Sequence, residues 1–285
     1  MSLSAEHIAA AVGSPVADMT PVAGGDINRA LRATLEDGRQ IFVKYRRGAK
    51  AEMYEAEADG LAWLGRAETF RVPGAVAVGR AESAFLALEW LPFAPAAAQG
   101  HERFGQSLAG LHRAGAEGFG YSRDNYIGSL EQPNESAESW AEFYGARRLE
   151  PMARKAAAAG GIDEKTLLAV DSLLARLPEL VGPEEPPARL HGDLWSGNAA
   201  FLADGSPCVI DPAVYGGHRE VDLAMMQLFG GFEQRCFAAY DEVFPLAPGW
   251  QERVPLYQLY PLLVHAVLFG GAYGATAATI INRYL

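Results

Sequence analysis

The sequence predicts an α+β chain in two lobes, a small β-rich N-terminal lobe over residues 1–91 and a larger, mainly helical lobe over residues 92–285. Three observations lead there. Strand and hairpin patterns occupy most of the first ninety residues, with a single helical pattern among them. A Pro/Ala/Gly-rich connection, Leu-Pro-Phe-Ala-Pro-Ala-Ala-Ala-Gln-Gly, follows Trp90. From His101 onward helical periodicity dominates, and clefts between two such lobes are favoured ligand sites.

In chain order, a glycine-bearing turn at Gly24-Gly25-Asp26-Ile27-Asn28 separates two predicted strands. Leu31–Leu35 and Gln40–Tyr45 flank Asp37-Gly38 and read as a hairpin, because Asp-Gly supplies the positive φ of a tight turn. Met53, Ala56, Gly60, Leu61 and Leu64 recur at the spacing of one buried face and predict a helix over Ala51–Leu64. Val76–Val78 and Ala84–Trp90 read as two more strands. Helices are predicted over Phe104–Ala114, Ser139–Ala153, Glu164–Leu177, Val221–Phe229 and Phe232–Val243, with a short β interruption over Ala188–Asp211. Pro261–Ile281 is largely apolar, no Asp, Glu, Lys or Arg lies between Arg253 and Arg283, and Gly270 and Gly274 have small-xxx-small spacing. His265, the Gly270-Gly271 pair and the threonines favour a buried helix pair over a membrane span.

With 285 residues the chain is long enough for a sizeable core, and 49% hydrophobic against 21% charged residues excludes wholesale disorder. The 24 Lys and Arg against 35 Asp and Glu give a net charge of −11, which argues against a general nucleic-acid binder. Phosphate-bearing small ligands stay open, since one lysine and a metal ion outweigh a distant acidic surface. Cys208 and Cys236 lack metal-ligand spacing and read as reduced thiols, and Met1-Ser-Leu-Ser-Ala-Glu shows no secretion signal; a cytoplasmic protein is expected.

The strongest chemical signal is His191-Gly192-Asp193-Leu194-Trp195-Ser196-Gly197-Asn198, followed by a strand ending in Asp211-Pro212-Ala213. Phosphoryl transfer needs one carboxylate near the acceptor hydroxyl and oxygen ligands that hold Mg²⁺ against phosphates, and Asp193, Asn198 and Asp211 are residues of those types. Lys44 closes a strand, and a carboxylate on the next helix could hold it as a phosphate-binding cation. Glu52 and Glu55 share that helix, but Glu57 is preferred because Gly60, Leu61 and Leu64 follow it with buried-face spacing. Backbone amides of the Gly24–Asn28 turn could cover phosphates. No Walker-type Gly-x-x-x-x-Gly-Lys-Ser/Thr and no helix-opening Gly-x-Gly-x-x-Gly occurs, which disfavours P-loop and Rossmann readings.

Taken together, the glycine turn, Val43-Lys44, the helix glutamate, Leu88-Glu89-Trp90-Leu91, the His-x-Asp-x4-Asn loop and Asp-Pro-Ala resemble the protein-kinase-like small-molecule phosphotransferases. More narrowly, Gly24–Ala30, His191–Asn198 and Asp211–Met225 resemble the fructosamine (ketosamine) kinase family, over almost the whole chain. The resemblance implies a kinase-like fold and ATP- and Mg²⁺-dependent phosphorylation of a ketosamine, free or on a glycated protein, to a 3-phosphate that then releases its amine. It implies Asp193 as catalytic base, Asn198 and Asp211 as Mg²⁺ ligands, Lys44 on the α/β-phosphates with Glu57 orienting it, Gly24, Gly25 and Asp26 in the phosphate turn, and the Glu89 and Leu91 backbone at adenine. His-Gly-Asp and Asp-Pro-Ala stand where protein kinases have His-Arg-Asp and Asp-Phe-Gly, and no activation segment is recognisable. An aminoglycoside, choline or another metabolite hydroxyl is the alternative acceptor.

On the acceptor side, Trp195 could wall the sugar or pack under its loop, and His218 and Arg219 are candidate substrate contacts. Asp222 could cap its helix or brace the catalytic loop. Asp124–Gly128, Trp140 and Phe143 could line the acceptor pocket, although polar loop and core are the default readings, and His265 reads as a core histidine.

Overall fold

Five antiparallel strands form the small lobe in the computed structural model, which describes residues 3–22, 28–80 and 84–285. They are β1 (Val16–Val22), β2 (Arg29–Leu35), β3 (Gln40–Tyr45), β4 (Ala75–Gly79) and β5 (Phe85–Glu89), in the order β1-β2-β3-β5-β4. The predicted hairpin pairs Thr34 with Gln40 across Asp37-Gly38. Strand alternation divides the sheet's two faces. Leu31, Ala33, Ile41, Val43, Phe85 and Ala87 bury one face together with Ile8 of α1 (Ala5–Val12), a short helix that the sequence reading missed. Leu86 and Leu88 turn the opposite way, toward α2 (Ala51–Gly65), where Met53, Tyr54, Leu61 and Leu64 pack against them. Lys44 pairs with Leu86 and so sits on the sheet face that meets α2.

Beyond Trp90 the connection contains a two-residue strand, β6 (Phe93–Ala94). The large lobe follows with α3 (Gly100–Arg113), β7 (Asn125–Ile127), β8 (Leu130–Gln132), α4 (Trp140–Phe143), α5 (Glu150–Ala158), α6 (Glu164–Leu180), β9 (Ala188–Leu190), β10 (Ala199–Leu202), β11 (Pro207–Val209), β12 (Tyr215–Gly217), α7 (Glu220–Phe229), α8 (Gln234–Val243), α9 (Trp250–Phe269) and α10 (Tyr273–Arg283). The helix expected over Ser139–Ala153 is interrupted: residues Tyr144–Leu149 between α4 and α5 form a π-helical turn. The apolar C-terminal region is a pair of helices. Tyr257, Leu259, Leu262 and Leu263 of α9 lie in a core shared with α4–α6 and α7, and no helix among the described residues is long and apolar enough to cross a membrane.

The backbone of Arg71 joins the lobes by bonding to Pro207 and Val209 on either side of Cys208, and β6 of the connection pairs with β10. The short sheets β9–β12 and β10–β11 then present the loop after β9 and the turn after β11 side by side.

Candidate active site

The His191-Gly192-Asp193 segment leaves β9 and is held by hydrogen bonds from three directions. Asp222, fully buried near the start of α7, accepts from the backbone N–H groups of His191 (2.8 Å) and Gly192 (2.9 Å). His112 of α3 approaches the same carboxylate through Nε2 at 3.2 Å and Tyr240 through Nδ1 at 2.8 Å. Burial would raise the Asp222 pKa, but His112 and the other donors outweigh it and leave the carboxyl below its ordinary value. The brace is the reading of Asp222 that the structure bears out. His112, which nothing in its local sequence distinguishes, was missed. His191 is kept neutral by burial and donates from Nε2 to the Ile210 carbonyl (2.9 Å), so its Nδ1 is the acceptor for Asp193 N–H (3.3 Å).

Asn198, on a 3₁₀ turn, closes the loop. Its Nδ2 donates to the Asp193 carbonyl (2.8 Å), to Asp193 Oδ2 (3.3 Å) and to the Asp211 carbonyl (3.4 Å), which leaves Oδ1 as the atom free for a cation. Asp211, in the turn after β11, has φ of 53°, a left-handed conformation rare for a residue with a side chain. Its Oδ1 lies 2.9 Å from Lys44 Nζ, which is also 2.5 Å from Glu57 Oε2. Sequence separations of 13 and 167 residues are thus collapsed into one cluster across the cleft. Burial opposes charge on Lys44, but Asp211 and Glu57 outweigh it and hold the ammonium protonated above its ordinary range. Burial pushes Glu57 up to about 7, with Lys44 opposing. Asp193 is likewise raised to about 7, by burial first and by the Asp211 carboxylate next.

Among the described residues no group of three or more His, Cys, Asp or Glu side chains is arranged to hold a metal by itself. That suits Mg²⁺, which is commonly held by one or two carboxylates together with substrate phosphates. The hard oxygen donors of Asp193, Asp211 and Asn198, and the mutual repulsion of the two carboxylates, fit such a cation.

At the hinge, the Glu89 side chain pairs with Arg71, and Glu89 N–H donates to the Gly74 carbonyl (2.8 Å). Among the described residues Leu91 N–H meets no backbone carbonyl. Gly24, Gly25 and Asp26 lie outside the described residues. Trp195 packs on its own loop. Its ring covers Gly197, and it also starts an aromatic row: Phe229 at 6.1 Å, His265 a further 4.9 Å on, then Phe269 and Tyr273. His265 Nδ1 is bonded to the Pro261 carbonyl (2.7 Å), and its half-buried ring sits beside the exposed rings of Phe229 and Phe269.

His218 and Arg219 are corrected by the structure as substrate contacts. Arg219 is 4% exposed, forked onto Glu185 (2.7 and 2.8 Å) and stacked on Phe244, while His218 is 2% exposed and stacks on Tyr257 at 5.5 Å. β12 carries both away from the Asp211 turn into the core. Asn125, likewise, is buried and bonds to the Val214 carbonyl, and Trp140 and Phe143 are core residues.

A two-lobed fold with a strand lysine, a helix glutamate and a Asp-Asn-Asp cluster facing them defines an ATP-dependent phosphotransferase of the protein-kinase-like class. The fructosamine kinase profile matches residues 1–285. A probable ketoamine kinase of Synechocystis is 39% identical over 288 residues, covering 99% of this chain and 95% of the relative. A chloroplastic protein-ribulosamine 3-kinase of Arabidopsis thaliana is 37% identical over 271 residues, covering 93% and 81%. A crystal structure from Thermobifida fusca, described as a "putative fructosamine-3-kinase", superposes with a TM-score of 0.89 at 42% identity, covering 98% of this chain and 97% of that one. The chain belongs to the fructosamine kinase family, and it is a kinase of the ketoamine type.

Proposed function

We propose that the protein transfers the γ-phosphoryl group of ATP to the 3-hydroxyl of a ketosamine such as a fructosamine or ribulosamine adduct, with Asp193 as the base. The observation that carries this reading is the meeting of Lys44, held by Glu57 at 2.5 Å, with Asp211 at 2.9 Å, beside the loop that bears Asp193 and Asn198. Lys44, held by Glu57, binds the α/β-phosphates. Asn198 and Asp211 hold Mg²⁺, which when bound offsets charge on the phosphates. The backbone at Glu89 and Leu91 receives the adenine. Asp193, with one oxygen held by Asn198 and a pKa of about 7, is poised to take the acceptor's proton near neutrality.

The acceptor side supports a sugar bearing an amine. The Trp195–Phe229–His265 row offers ring faces for a pyranose or furanose, and α10 together with α9 beyond Arg253 carries no acidic side chain to match a polycationic aminoglycoside. Ring faces also attract quaternary ammonium groups, which keeps choline as the second reading. The 3-position follows the activity that the Arabidopsis relative is named for.

The test is an acceptor panel. With ATP and Mg²⁺, fructosyl- or ribulosyl-lysine is expected to release ADP, with NMR placing the phosphate on O3, while kanamycin and choline do not. Turnover of kanamycin or choline alone overturns the acceptor assignment. Asp193→Ala is expected to lower kcat by about 10²- to 10⁴-fold, the usual contribution of a general base. Unchanged turnover would remove Asp193 from that role.

A further inference from the structure

Arg148 is a fully buried guanidinium without a carboxylate partner among the described residues. Its Nη1 donates to the carbonyls of Pro133 (2.6 Å) and Arg147 (3.0 Å), and its Nη2 to Asn134 Oδ1 (2.6 Å). The rings of Tyr215 and Phe143 lie 3.9 and 4.6 Å from its central carbon. A structural arginine in an apolar core would ordinarily be paired with an acid, because burying an unpaired charge is costly. Here the charge anchors a chain of amides instead. Asn134 Nδ2 donates to Asn125 Oδ1 (2.9 Å), and Asn125 Nδ2 donates to the Val214 carbonyl (2.8 Å). Gln132 Nε2 bridges Asn125 Oδ1 (2.8 Å) and the Ala213 carbonyl (3.1 Å), and Tyr260 fixes the far end of Gln132 (2.8 Å).

All three amide side chains are at most 4% exposed, and each is bonded at both ends. The relay ends on the two carbonyls that follow Asp211-Pro212, the turn in which Asp211 keeps its left-handed backbone. At its other end Arg148 projects from the π-helical turn, a local departure from α-geometry of the kind found at functional sites.

We propose that Arg148, Asn134, Asn125 and Gln132 form a positioning unit for the Asp211 turn. It holds the Ala213 and Val214 carbonyls so that the Asp211 carboxylate stays aimed at Lys44 and the nucleotide's cation. None of the four touches substrate; they act through the backbone. The proposal rests on the reading of Asp211 as a cation ligand.

Two variants cut the relay at different points. Gln132→Met removes the donor to Ala213 in nearly the same volume. Asn134→Asp keeps an acceptor for Arg148 and abolishes the donor to Asn125. Trp140→Phe serves as the control, since it deletes a buried hydrogen bond to Tyr257 (3.0 Å) in the same lobe and leaves the relay whole. Mn²⁺ binding in the presence of ADP, followed by EPR, reads the turn without any acceptor. Both relay variants are expected to weaken Mn²⁺ binding by about 10-fold and to lower kcat at least as much, the usual effect of losing groups that orient a ligand. The acceptor KM should stay within about two-fold, and urea unfolding should show that both remain folded. Trp140→Phe should lose stability and keep its Mn²⁺ affinity. The proposal is overturned if both relay variants bind Mn²⁺ as wild type does, if Trp140→Phe weakens binding equally, or if the relay variants do not fold at all, since the unit is then only core. Failure of wild type to bind Mn²⁺ with ADP would instead fault the reading of Asp211.

Discussion

Gly192 has φ of +84°, and a Cβ on it would stand 2.0 Å from the Ala213 carbonyl oxygen. The residue between His191 and Asp193 is therefore fixed by two constraints, a left-handed backbone and contact with the strand leaving Asp211. Gly38, in the β2–β3 turn, has nearly the same φ (+85°) but open space around it. The pair separates strain from crowding. Gly38→Ala should cost only the left-handed penalty, about 1–2 kcal/mol. Gly192→Ala should cost more than that in urea unfolding and lower kcat at least about ten-fold, because the Asp193 loop and the Ala213 strand must move apart. Equal costs for the two alanines, with kcat unchanged in both, would show that the close approach has no consequence.

At the scale of elements, α2 carries Glu57 to Lys44 and also touches the Asp211 turn. A Cβ at Gly60 would meet Val214 Cγ2 at 3.2 Å and Pro212 at 3.7 Å, so the absence of a side chain sets how near α2 comes. Gly65, one residue past Leu64 on the same helix, has nothing within 4 Å. Gly60→Leu is expected to push α2 off the turn, loosen the Glu57–Lys44 pair and raise the KM for ATP about ten-fold, while Gly65→Leu leaves it unchanged; steady-state kinetics at varied ATP decide it. An unchanged KM in Gly60→Leu would show that the helix can yield without disturbing the lysine. Such packing explains what could be read in advance. Asp193, Asn198 and Asp211 were legible because loop, strand and turn are contiguous in the chain, and the β3 lysine because it closes a strand followed at once by a helix that carries a carboxylate. His218 and Arg219 were misread because closeness to Asp211 in sequence was taken for closeness in space, whereas β12 carries His218 under α9 and Arg219 onto Glu185 and Phe244. The amide relay was invisible for the opposite reason. Asn125, Gln132 and Asn134 look like loop residues until a hairpin folds them beneath a turn some eighty residues away.

For the whole molecule, the net charge of −11 says little about the site, where Lys44 stands against three carboxylates. Groups away from that cluster tie the fold to pH as well, histidines among them. Burial holds His191, His218 and His265 below the ordinary histidine range, and His218 is brought down to about 4. Glu185, whose carboxylate lies 3.9 Å away, favours the charged form of His218, while Arg219 and Arg253 oppose it, and desolvation between Tyr257 and Trp140 decides the balance. The unfolded chain, with a histidine pKa near 6.5, therefore binds more protons than the native one between pH 6.5 and 4. The His218 contribution to stability is full above that window and falls as the pH drops through it. From pH 7 to pH 5 the His218 contribution alone amounts to about 2 kcal/mol. His218→Phe keeps a ring against Tyr257 and has no proton to gain. Its urea-unfolding free energy should thus fall by about 2 kcal/mol less than that of wild type over the same pH step. Parallel losses in the two proteins would mean that His218 is already charged in the native core, paired with Glu185.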